Sequence, residues 1–347
     1  MRILFLASGP QVPSTRFRVL PWVRPLRADG HQVVVAQSFP QKYDYFPWMG
    51  FRPSQLLKRS VRWWHWLRSR LQGFDVVIIE REIFDSESAE MELRFRETCR
   101  RLILDLDDAV FLRYPNKFEQ LIPAADLVIC GNRFIEEWVA ERNAATCLLP
   151  TCVDLDRYVP RAYSGLPARR PVIGWMGTAG NLVYLREALA GLRQLRTDHD
   201  FELHLIVPDL SALSADDLAG LPVQQRSWSA EREIADLQSF DIGLMPLSRT
   251  DEWAKYKCGL KLIQYLATGV PGVASAVGVN SEILDHGGCG IVINAPEEWA
   301  EGLGRLLNSD DLRQQLGAAG RKHVERNYSV QACYPQLVHA LQSAGGR

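Results

Sequence analysis

One segment in the second half of the chain, KYKCGLKLIQYLATG, carries basic and amide side chains without a carboxylate beside them. Lys257, Lys261 and Gln264 stand at positions i, i+4 and i+7, which predicts one shared face of a helix over Cys258–Thr268. No acidic residue occurs in residues 253–281. A cationic face without a local counter-charge is typical of an anion site, for example one for a diphosphate.

A glycine-rich turn, GTAGN, follows a buried apolar run earlier in the same half. Gly177, Thr178 and Asn181 lie where this strand passes into a helix, and backbone N–H groups at a helix N-terminus bind anions. Arg249 follows another strand of the same half. Because parallel strands end at one edge of a sheet, we expect these residues near Lys261, as one diphosphate site.

Two strand ends of the first half also carry polar side chains. Gly9, Ser14, Thr15 and Arg16 follow the first strand, where Thr15 either caps a helix or belongs to a plain polar loop. No second glycine stands at the GxGxxG spacing, so a nicotinamide or flavin fingerprint is absent.

Three carboxylates, Asp105, Asp107 and Asp108, follow the fourth strand in the motif DLDD. Carboxylates at a buried strand end are costly unless they are paired or functional. They could hold a divalent cation, orient a polar substrate or cap the next helix.

The segment 53–72 predicts a helix with an apolar and a basic stripe. The apolar stripe contains Leu57, Val61, Trp64 and Leu71, and the basic stripe contains Lys58, Arg62, His65 and Ser69. Such a helix lies on an anionic membrane surface, binds an acidic polymer, or simply packs on the first sheet.

The elements that must position these residues alternate between short apolar runs and helical patterns. This alternation predicts an α/β protein with two Rossmann-like domains that face each other across a cleft. The Pro-, Gly- and Arg-rich segment Tyr158–Pro171 is the expected linker. Helices are predicted over Thr15–Asp29 and Glu87–Arg101, among others.

Composition excludes several classes of protein. The net charge of −1 argues against a general attraction to nucleic acid, and the seven cysteines include no CxxC pair, so no zinc site is expected. No apolar run is long enough to span a membrane, and the first residues predict a strand rather than a signal sequence. We therefore expect a cytoplasmic protein, peripheral to the inner membrane face if segment 53–72 contacts lipid.

Five motifs in order carry a family resemblance: LLPTCVD, IGWMGT, DIGLMPL, KLIQYLATGVPGVASAVGVNSEIL and GGCGIVI. Together they resemble the family 4 glycosyltransferases, which are retaining enzymes with the GT-B fold. The resemblance covers the second domain well and the first loosely. It implies a nucleotide-sugar donor bound mainly by residues 161–329. It also implies an acceptor bound mainly by residues 1–160, a last helix over 330–347 that crosses back to the first domain, and no metal or other cofactor.

The family's E-x7-E element falls on Tyr256 and Gln264, so both glutamates are replaced. The resemblance places Gln264 at the donor ribose, where exchange for glutamate should be tolerated, and Tyr256 or Lys257 near the transferred sugar. The diphosphate charge then falls to Lys257, Lys261 or Arg249.

Other positions carry over less directly. Arg226 and Trp228, in the motif VQQRSW, match the nucleobase loop, and Glu282 lies on a loop near the donor sugar and phosphates. Asp107 or Asp108 corresponds to a family histidine near the sugar. In addition, we assign Gly9 to the donor, and Ser14, Thr15 and Arg16 to the acceptor.

Three functions follow from these residues. The first is metal-independent, retaining transfer of a sugar to a glycan, lipid-linked or small-molecule acceptor, with Lys257, Lys261, Asp107 and Asp108 as catalytic residues. The second is a metal-dependent phosphoryl or sugar transferase that uses Asp105 and Asp107. The third is a nucleotide-sugar or glycan-binding relative without catalysis, which the missing glutamates would explain.

Overall fold

The computed structural model describes residues 1–142, 144–163 and 169–343, and the chain divides into two units. Unit 1 contains Met1–Cys152, Tyr256–Cys258 and Cys333–Arg347, and unit 2 contains Val153–Lys255 and Gly259–Ala332. Residues 164–168 of the predicted linker and residues 344–347 of the predicted last segment lie outside the described residues.

Each unit contains a six-stranded parallel sheet. In unit 1 the strands are β1 (Arg2–Ala7), β2 (Gln32–Gln37), β3 (Phe74–Glu80), β4 (Cys99–Leu106), β5 (Leu127–Cys130) and β6 (Thr146–Leu148), in the order β2-β1-β3-β4-β5-β6. In unit 2 they are β7 (Val172–Met176), β8 (Glu202–Ile206), β9 (Val223–Arg226), β10 (Ile242–Met245), β11 (Gly272–Ser275) and β12 (Gly290–Ile293), in the order β12-β11-β10-β7-β8-β9. The predicted pair of parallel α/β sheets is confirmed.

The helices flank these strands along the chain. Those up to β6 are α1 (Leu20–Ala28), α2 (Phe51–Gln72), α3 (Glu90–Arg96), α4 (Val110–Arg113), α5 (Pro115–Ala124) and α6 (Arg133–Ala140). After β7 come α7 (Arg186–Leu195), α8 (Ala215–Leu218), α9 (Glu233–Gln238), α10 (Glu252–Lys255), α11 (Leu260–Ala267), α12 (Asn280–Ile283), α13 (Glu298–Leu307), α14 (Asp310–Asn327) and α15 (Val330–Ser343). A π-helix spans Thr15–Val19, and 3-10 helices span Ala179–Leu185 and Asp285–Gly287.

The strands are apolar on both faces because helices cover both sides of each sheet. In β3, for example, Val76 and Val77 are fully buried although they point to opposite faces. The core of unit 2 joins strand residues such as Leu205 to Leu189 of α7 and Leu303 of α13. Within the part of the chain that the structure describes, no helix has both the length and the apolar character needed to cross a membrane.

One predicted helix is too long. The pattern over Glu87–Arg101 suggested a single helix, but α3 ends at Arg96 and β4 begins at Cys99. Main-chain pairing of Cys99 with Phe74 extends β4 beyond its apolar part. The polar start of this strand is therefore set by its neighbour and not by its own hydrophobic pattern.

Candidate functional site

The edge of the unit 2 sheet at which β7 ends brings Lys261 to Trp175 and Gly177. The Lys261 Nζ lies 5.2 Å from the centre of the Trp175 ring. A Cβ added at Gly177 would stand 2.9 Å from Lys261 Cε and 2.6 Å from Trp175 Cη2. Only glycine leaves room for this approach. We call Trp175, Gly177 and Lys261 the Lys261 cluster; it joins the predicted glycine turn to one of the predicted lysines.

Two groups of the turn after β7 already form hydrogen bonds within unit 2. The Gly177 N–H donates to the Ile206 carbonyl at 3.1 Å, so it completes the sheet edge and is not directed to an anion. The exposed Thr178 accepts a hydrogen bond on its hydroxyl from Asn181 Nδ2 at 3.0 Å. The expected anion contact by the Gly177 N–H is thus wrong for this conformation, whereas Thr178 lies at the surface.

Lys257 does not lie on the helix that carries Lys261. Gly259 has a φ of 63°, a left-handed conformation that glycine adopts readily, and α11 begins only after it. Tyr256–Cys258 belong to unit 1. The predicted common helix face of Lys257, Lys261 and Gln264 is therefore wrong, because Gly259 interrupts the helix.

Tyr256 is a packing residue of unit 1. Its ring meets the Phe111 ring edge-on at 5.0 Å, and Phe111 stacks on Trp138 at 3.8 Å. The Tyr256 carbonyl accepts a hydrogen bond from Asn132 Nδ2 at 2.6 Å. This buried setting gives no support to the predicted contact between Tyr256 and the donor sugar.

Gln264 belongs to a buried polar network in unit 2. Its Nε2 donates to the Tyr158 hydroxyl at 2.9 Å and to Glu233 Oε1 at 3.3 Å. The Tyr158 hydroxyl donates to the same carboxylate, and Trp228 Nε1 donates to Glu233 Oε2 at 2.9 Å. Glu233 is fully buried. A ribose contact by the Gln264 amide N–H groups would require this network to open.

The remaining predicted donor residues are spread over unit 2. Arg226 ends β9 and is exposed. Arg249 is also exposed and donates to the last carbonyl of β12 at 3.3 Å. Glu282 is half-buried on α12. Donor contacts by these three residues stay predictions.

In unit 1, Glu80 at the end of β3 binds the hydroxyls that the sequence assigned to an acceptor. Ser14 and Thr15 both donate to its carboxylate, and the Ser8 N–H donates to it at 3.1 Å. Thr15 Oγ1 also accepts from the N–H groups of Ser8 and Gly9 at 3.1 and 3.2 Å. Thr15 is therefore not a helix cap, and neither buried hydroxyl is presented to an acceptor, because Glu80 holds both.

A cavity of about 580 Å³ opens beside this network in unit 1. Among its lining residues are Gln11, Gln37, Phe39, Gln41, Tyr43 and Asp44. Gln41 accepts from the Gln11 N–H at 2.8 Å and donates to Asp44 at 2.9 Å, and a Cβ at Gly9 would approach it to 2.6 Å. Rings and amides together suit a sugar, which has apolar faces and many hydroxyls.

Arg16, assigned to the acceptor, is half-buried with its guanidinium 5.0 Å from the Phe17 ring.

The first carboxylate of DLDD forms a buried ion pair. Both Asp105 oxygens accept from Arg18, which also donates to the Leu149 carbonyl at 2.7 Å. Both side chains are almost completely buried. Asp105 is thus neutralised inside unit 1, and this pairing argues against its use as a metal ligand.

Asp107 and Asp108 face a second arginine, Arg81. Arg81 donates to Asp107, and its Nη2 lies 3.6 Å from Asp108 Oδ2. Burial alone would raise the pKa of Asp107, but the Arg81 guanidinium outweighs burial and holds this pKa below its usual range. Arg81 has a φ of 57°, an unfavourable conformation for a residue with a side chain. In the described ranges, no group of three or more His, Cys, Asp and Glu side chains is arranged to hold a metal ion.

Sequence inspection missed the charged partners of several predicted residues. Glu80 and Arg81 stand directly after the apolar run of β3, so the strand-end argument that selected Asp107 could have selected them too. Glu233 lies on a short helix and gives no such signal.

Residues 170–309, which lie in unit 2 except for Tyr256–Cys258, match the family model of the group 1 glycosyl transferases. Among curated proteins, the chain is similar to a D-inositol 3-phosphate glycosyltransferase of Corynebacterium jeikeium (strain K411), with 25% identity over 291 residues. This alignment covers 76% of the chain and 64% of that relative, so the chain spans less than two thirds of the relative's length.

Solved structures show the same architecture over almost the whole chain. Sucrose-phosphate synthase from Thermosynechococcus elongatus superposes with a TM-score of 0.75 at 15% identity, over 99% of this chain and 100% of that one. Anabaena Alr3699/HepE in complex with UDP-glucose gives a TM-score of 0.71 at 14% identity, over 99% and 100%. These identities show the fold, while the family model and the curated relative bear on the family. Taken together, residues 170–309 are similar to the group 1 glycosyl transferases, and the chain has the GT-B fold of the solved structures.

Proposed function

We propose that this protein transfers a sugar from a nucleoside-diphosphate sugar to an acceptor hydroxyl, with retention of the anomeric configuration and without a metal ion. The observation that carries the proposal is the Lys261 cluster, which places an ammonium group beside a glycine turn at the carboxyl edge of the unit 2 sheet. A structure of the same fold binds UDP-glucose, which supports a donor of this class.

In this proposal, the anomeric C–O bond to the diphosphate breaks, and negative charge develops on the leaving phosphate oxygens. Lys261 stabilises that charge, since a positioned cation acts most strongly where charge develops in the transition state. The acceptor oxygen attacks the anomeric carbon on the face that the diphosphate leaves, and its proton passes to the departing phosphate. No protein base is needed. The proposal also keeps Lys257 as a second cation. It keeps Asp107 and Asp108 as contacts of the transferred sugar.

The acceptor belongs to unit 1 in this proposal. The cavity lined by Phe39, Gln41 and Tyr43 is a better candidate than the hydroxyls of Ser14 and Thr15, which Glu80 holds. We propose a glycan, a lipid-linked sugar or a small molecule as acceptor, and a cytoplasmic location. The predicted membrane contact through residues 53–72 is a separate part of this proposal.

A second candidate function, binding without turnover, is favoured by the E-x7-E positions. Tyr256 is buried against Phe111, and Gln264 is hydrogen-bonded to Tyr158 and Glu233. Neither side chain presents a carboxylate to a donor sugar. Such a protein would bind the nucleotide sugar and leave it intact.

A panel of nucleotide sugars separates the two functions. Binding is measured by the rise in melting temperature, since a ligand that binds only the folded state stabilises it, and more so the tighter it binds. Turnover is measured as release of the nucleoside diphosphate with an extract of candidate acceptors, and the anomeric configuration of the product is read by NMR. Binding without release would favour the second function, and an inverted product would contradict retention.

Replacing Lys261 by alanine should weaken the binding of the matching nucleoside diphosphate by about tenfold or more, because a charged hydrogen bond to phosphate is lost. The affinity for the unphosphorylated nucleoside should not change. Both are measured by calorimetry. Lys322→Ala, at an exposed lysine of α14, is the control. An unchanged diphosphate affinity in Lys261→Ala would exclude the Lys261 cluster as the phosphate site.

Prolonged treatment with a chelator should leave the transferase rate unchanged, because arginine side chains neutralise Asp105 and Asp107. The rate is measured before and after dialysis against EDTA. Loss of activity that Mg²⁺ or Mn²⁺ restores would contradict the metal-independent mechanism and favour the metal-dependent alternative.

A further inference from the structure

Helix α2 is turned so that its polar side faces the protein. Its buried residues are Ser54, Lys58, Arg62 and Ser69. Arg62 donates to the carbonyls of Ala7 and Ala36 at the ends of β1 and β2, at 2.6 and 2.8 Å. Lys58 donates to the Lys42 carbonyl at 2.6 Å. The predicted basic stripe is therefore the inner face of this helix and cannot be its contact with a membrane.

The opposite side of α2 is apolar and exposed. It consists of Leu56, Trp63, Trp64, Leu67 and Leu71, which we call the outer face. At 100° per residue, these five positions fall within about 100° of the helix circumference, so they share one side of the helix. Leu56, Trp64 and Leu71 are 65%, 61% and 77% exposed. Just before the helix, Trp48 is 79% exposed as well. Exposed apolar patches of this kind mark surfaces that bind a partner or a membrane.

The residues of α2 that flank the outer face are basic or neutral. Arg52, Arg59, Arg68 and Arg70 are exposed, and α2 contains no acidic residue. Successive residues are 100° apart around a helix, so Arg52, Arg59 and Arg70 border the outer face on one side and Arg68 borders it on the other. The surface thus combines an apolar centre with a cationic border.

This combination selects one occupant. An acidic polymer would pair with the arginines but would leave the indole and leucine side chains in water. A second copy of the chain that bound through the same face would bring two arginine borders together. A bilayer with anionic headgroups accepts both features, because the apolar side chains enter the acyl boundary and the arginines meet the phosphates. Tryptophan is also favoured at this depth.

We propose that the outer face of α2, bordered by Arg59, Arg68 and Arg70, docks this protein on an anionic lipid surface as an interfacial helix. The inner face, through Arg62 and Lys58, fixes the helix to unit 1. The proposal does not depend on glycosyl transfer, because it uses none of the residues of the Lys261 cluster.

The full chain is mixed with vesicles of phosphatidylcholine alone or of phosphatidylcholine with phosphatidylglycerol, and the bound fraction is measured by sedimentation. We expect binding to the anionic vesicles, weaker binding at high salt, and a blue shift of tryptophan fluorescence. The double variant Trp64→Ser, Leu71→Ser should reduce the partition coefficient by at least about tenfold, since two large apolar groups no longer enter the lipid. Reversing the border with Arg59→Glu and Arg70→Glu should abolish the preference for anionic lipid.

Val159→Ser, at an exposed apolar residue of unit 2, should bind vesicles like the unchanged protein. The melting temperature of each variant shows whether it is folded; outer-face changes should not lower it, because these side chains are in water. The proposal is overturned if the unchanged protein does not bind anionic vesicles, or if the outer-face variant binds them equally. It is also overturned if the outer face instead mediates a lipid-independent dimer, detected by sedimentation velocity and lost in the same variant.

Discussion

Replacing Gln264 by glutamate should lower the free energy of unfolding by about 3 kcal/mol, although the family that this chain resembles has a glutamate at this position. The amide donates to Tyr158 and to Glu233, which is fully buried. A carboxylate in its place would donate nothing and would put a second negative charge beside Glu233. The expectation that this exchange is tolerated thus rested on the sequence alone, and the network reverses it.

The loss should depend on pH with a defined sign. The introduced carboxyl group can replace the amide donor only while it holds a proton, so its pKa in the folded state is raised above that of the unfolded chain. Protonation then stabilises the variant at low pH, and this stabilisation is lost as the pH rises through the raised pKa. Chemical unfolding at several pH values measures the effect.

Two controls make this prediction specific. Gln315→Glu, at an exposed residue of α14, should change stability little. The double variant Glu233→Gln, Gln264→Glu exchanges the amide and the carboxylate and should recover much of the loss, as a double-mutant cycle would show. If Gln264→Glu is as stable as Gln315→Glu at neutral pH, the two side chains are not energetically coupled.

Replacing Asp105 by asparagine should lower the free energy of unfolding by about 3–5 kcal/mol, the usual cost of leaving one partner of a buried ion pair without the other. Arg18 would keep its charge in a site that excludes water. Thermal unfolding measures the loss. Arg18→Met should lower the free energy of unfolding by a similar amount, because it leaves the buried Asp105 carboxylate without its partner.

Asp107→Asn is the matched comparison, two residues further along the chain. The Arg81–Asp107 pair is partly exposed, so its loss should cost clearly less than that of Asp105. Because Arg81 holds the pKa of Asp107 low, this pair contributes stability above the ordinary carboxyl pKa of about 4, and the contribution disappears as the pH falls below it. If Asp107 contacts the sugar as proposed, its variant should lose activity while it remains folded. Equal destabilisation of the Asp105 and Asp107 variants would contradict this division of roles.

The sequence was sufficient to predict the two parallel α/β sheets and the meeting of Gly177 with Lys261. Parallel strands that are covered on both faces must be apolar throughout, and this pattern is visible locally, as in β1 and β3. The carboxyl ends of parallel strands lie at one edge of a sheet, so Gly177 after β7 and Lys261 at the start of α11 can be expected to meet although they are 84 positions apart (261 − 177).

The carboxylate partners could not be predicted in this way. Glu80 binds Ser14 across 66 positions and Glu233 binds Gln264 across 31, and no periodic pattern in the sequence indicates either pairing.

The sequence likewise indicated correctly that α2 is amphipathic, but not which side faces inward. Burial of apolar area would favour turning the apolar side of α2 inward. The buried carbonyls at the ends of β1 and β2, however, require hydrogen-bond donors, and Arg62 on the polar side supplies them. Thus the sequence by itself determined the strands and the sheet edge at which the residues after them meet, because the hydrophobic pattern is local. Only the tertiary structure decided which polar groups form hydrogen bonds inside each unit and which face of α2 is exposed. The reason is that the hydrogen-bond partners of a polar group are distant from it in the chain.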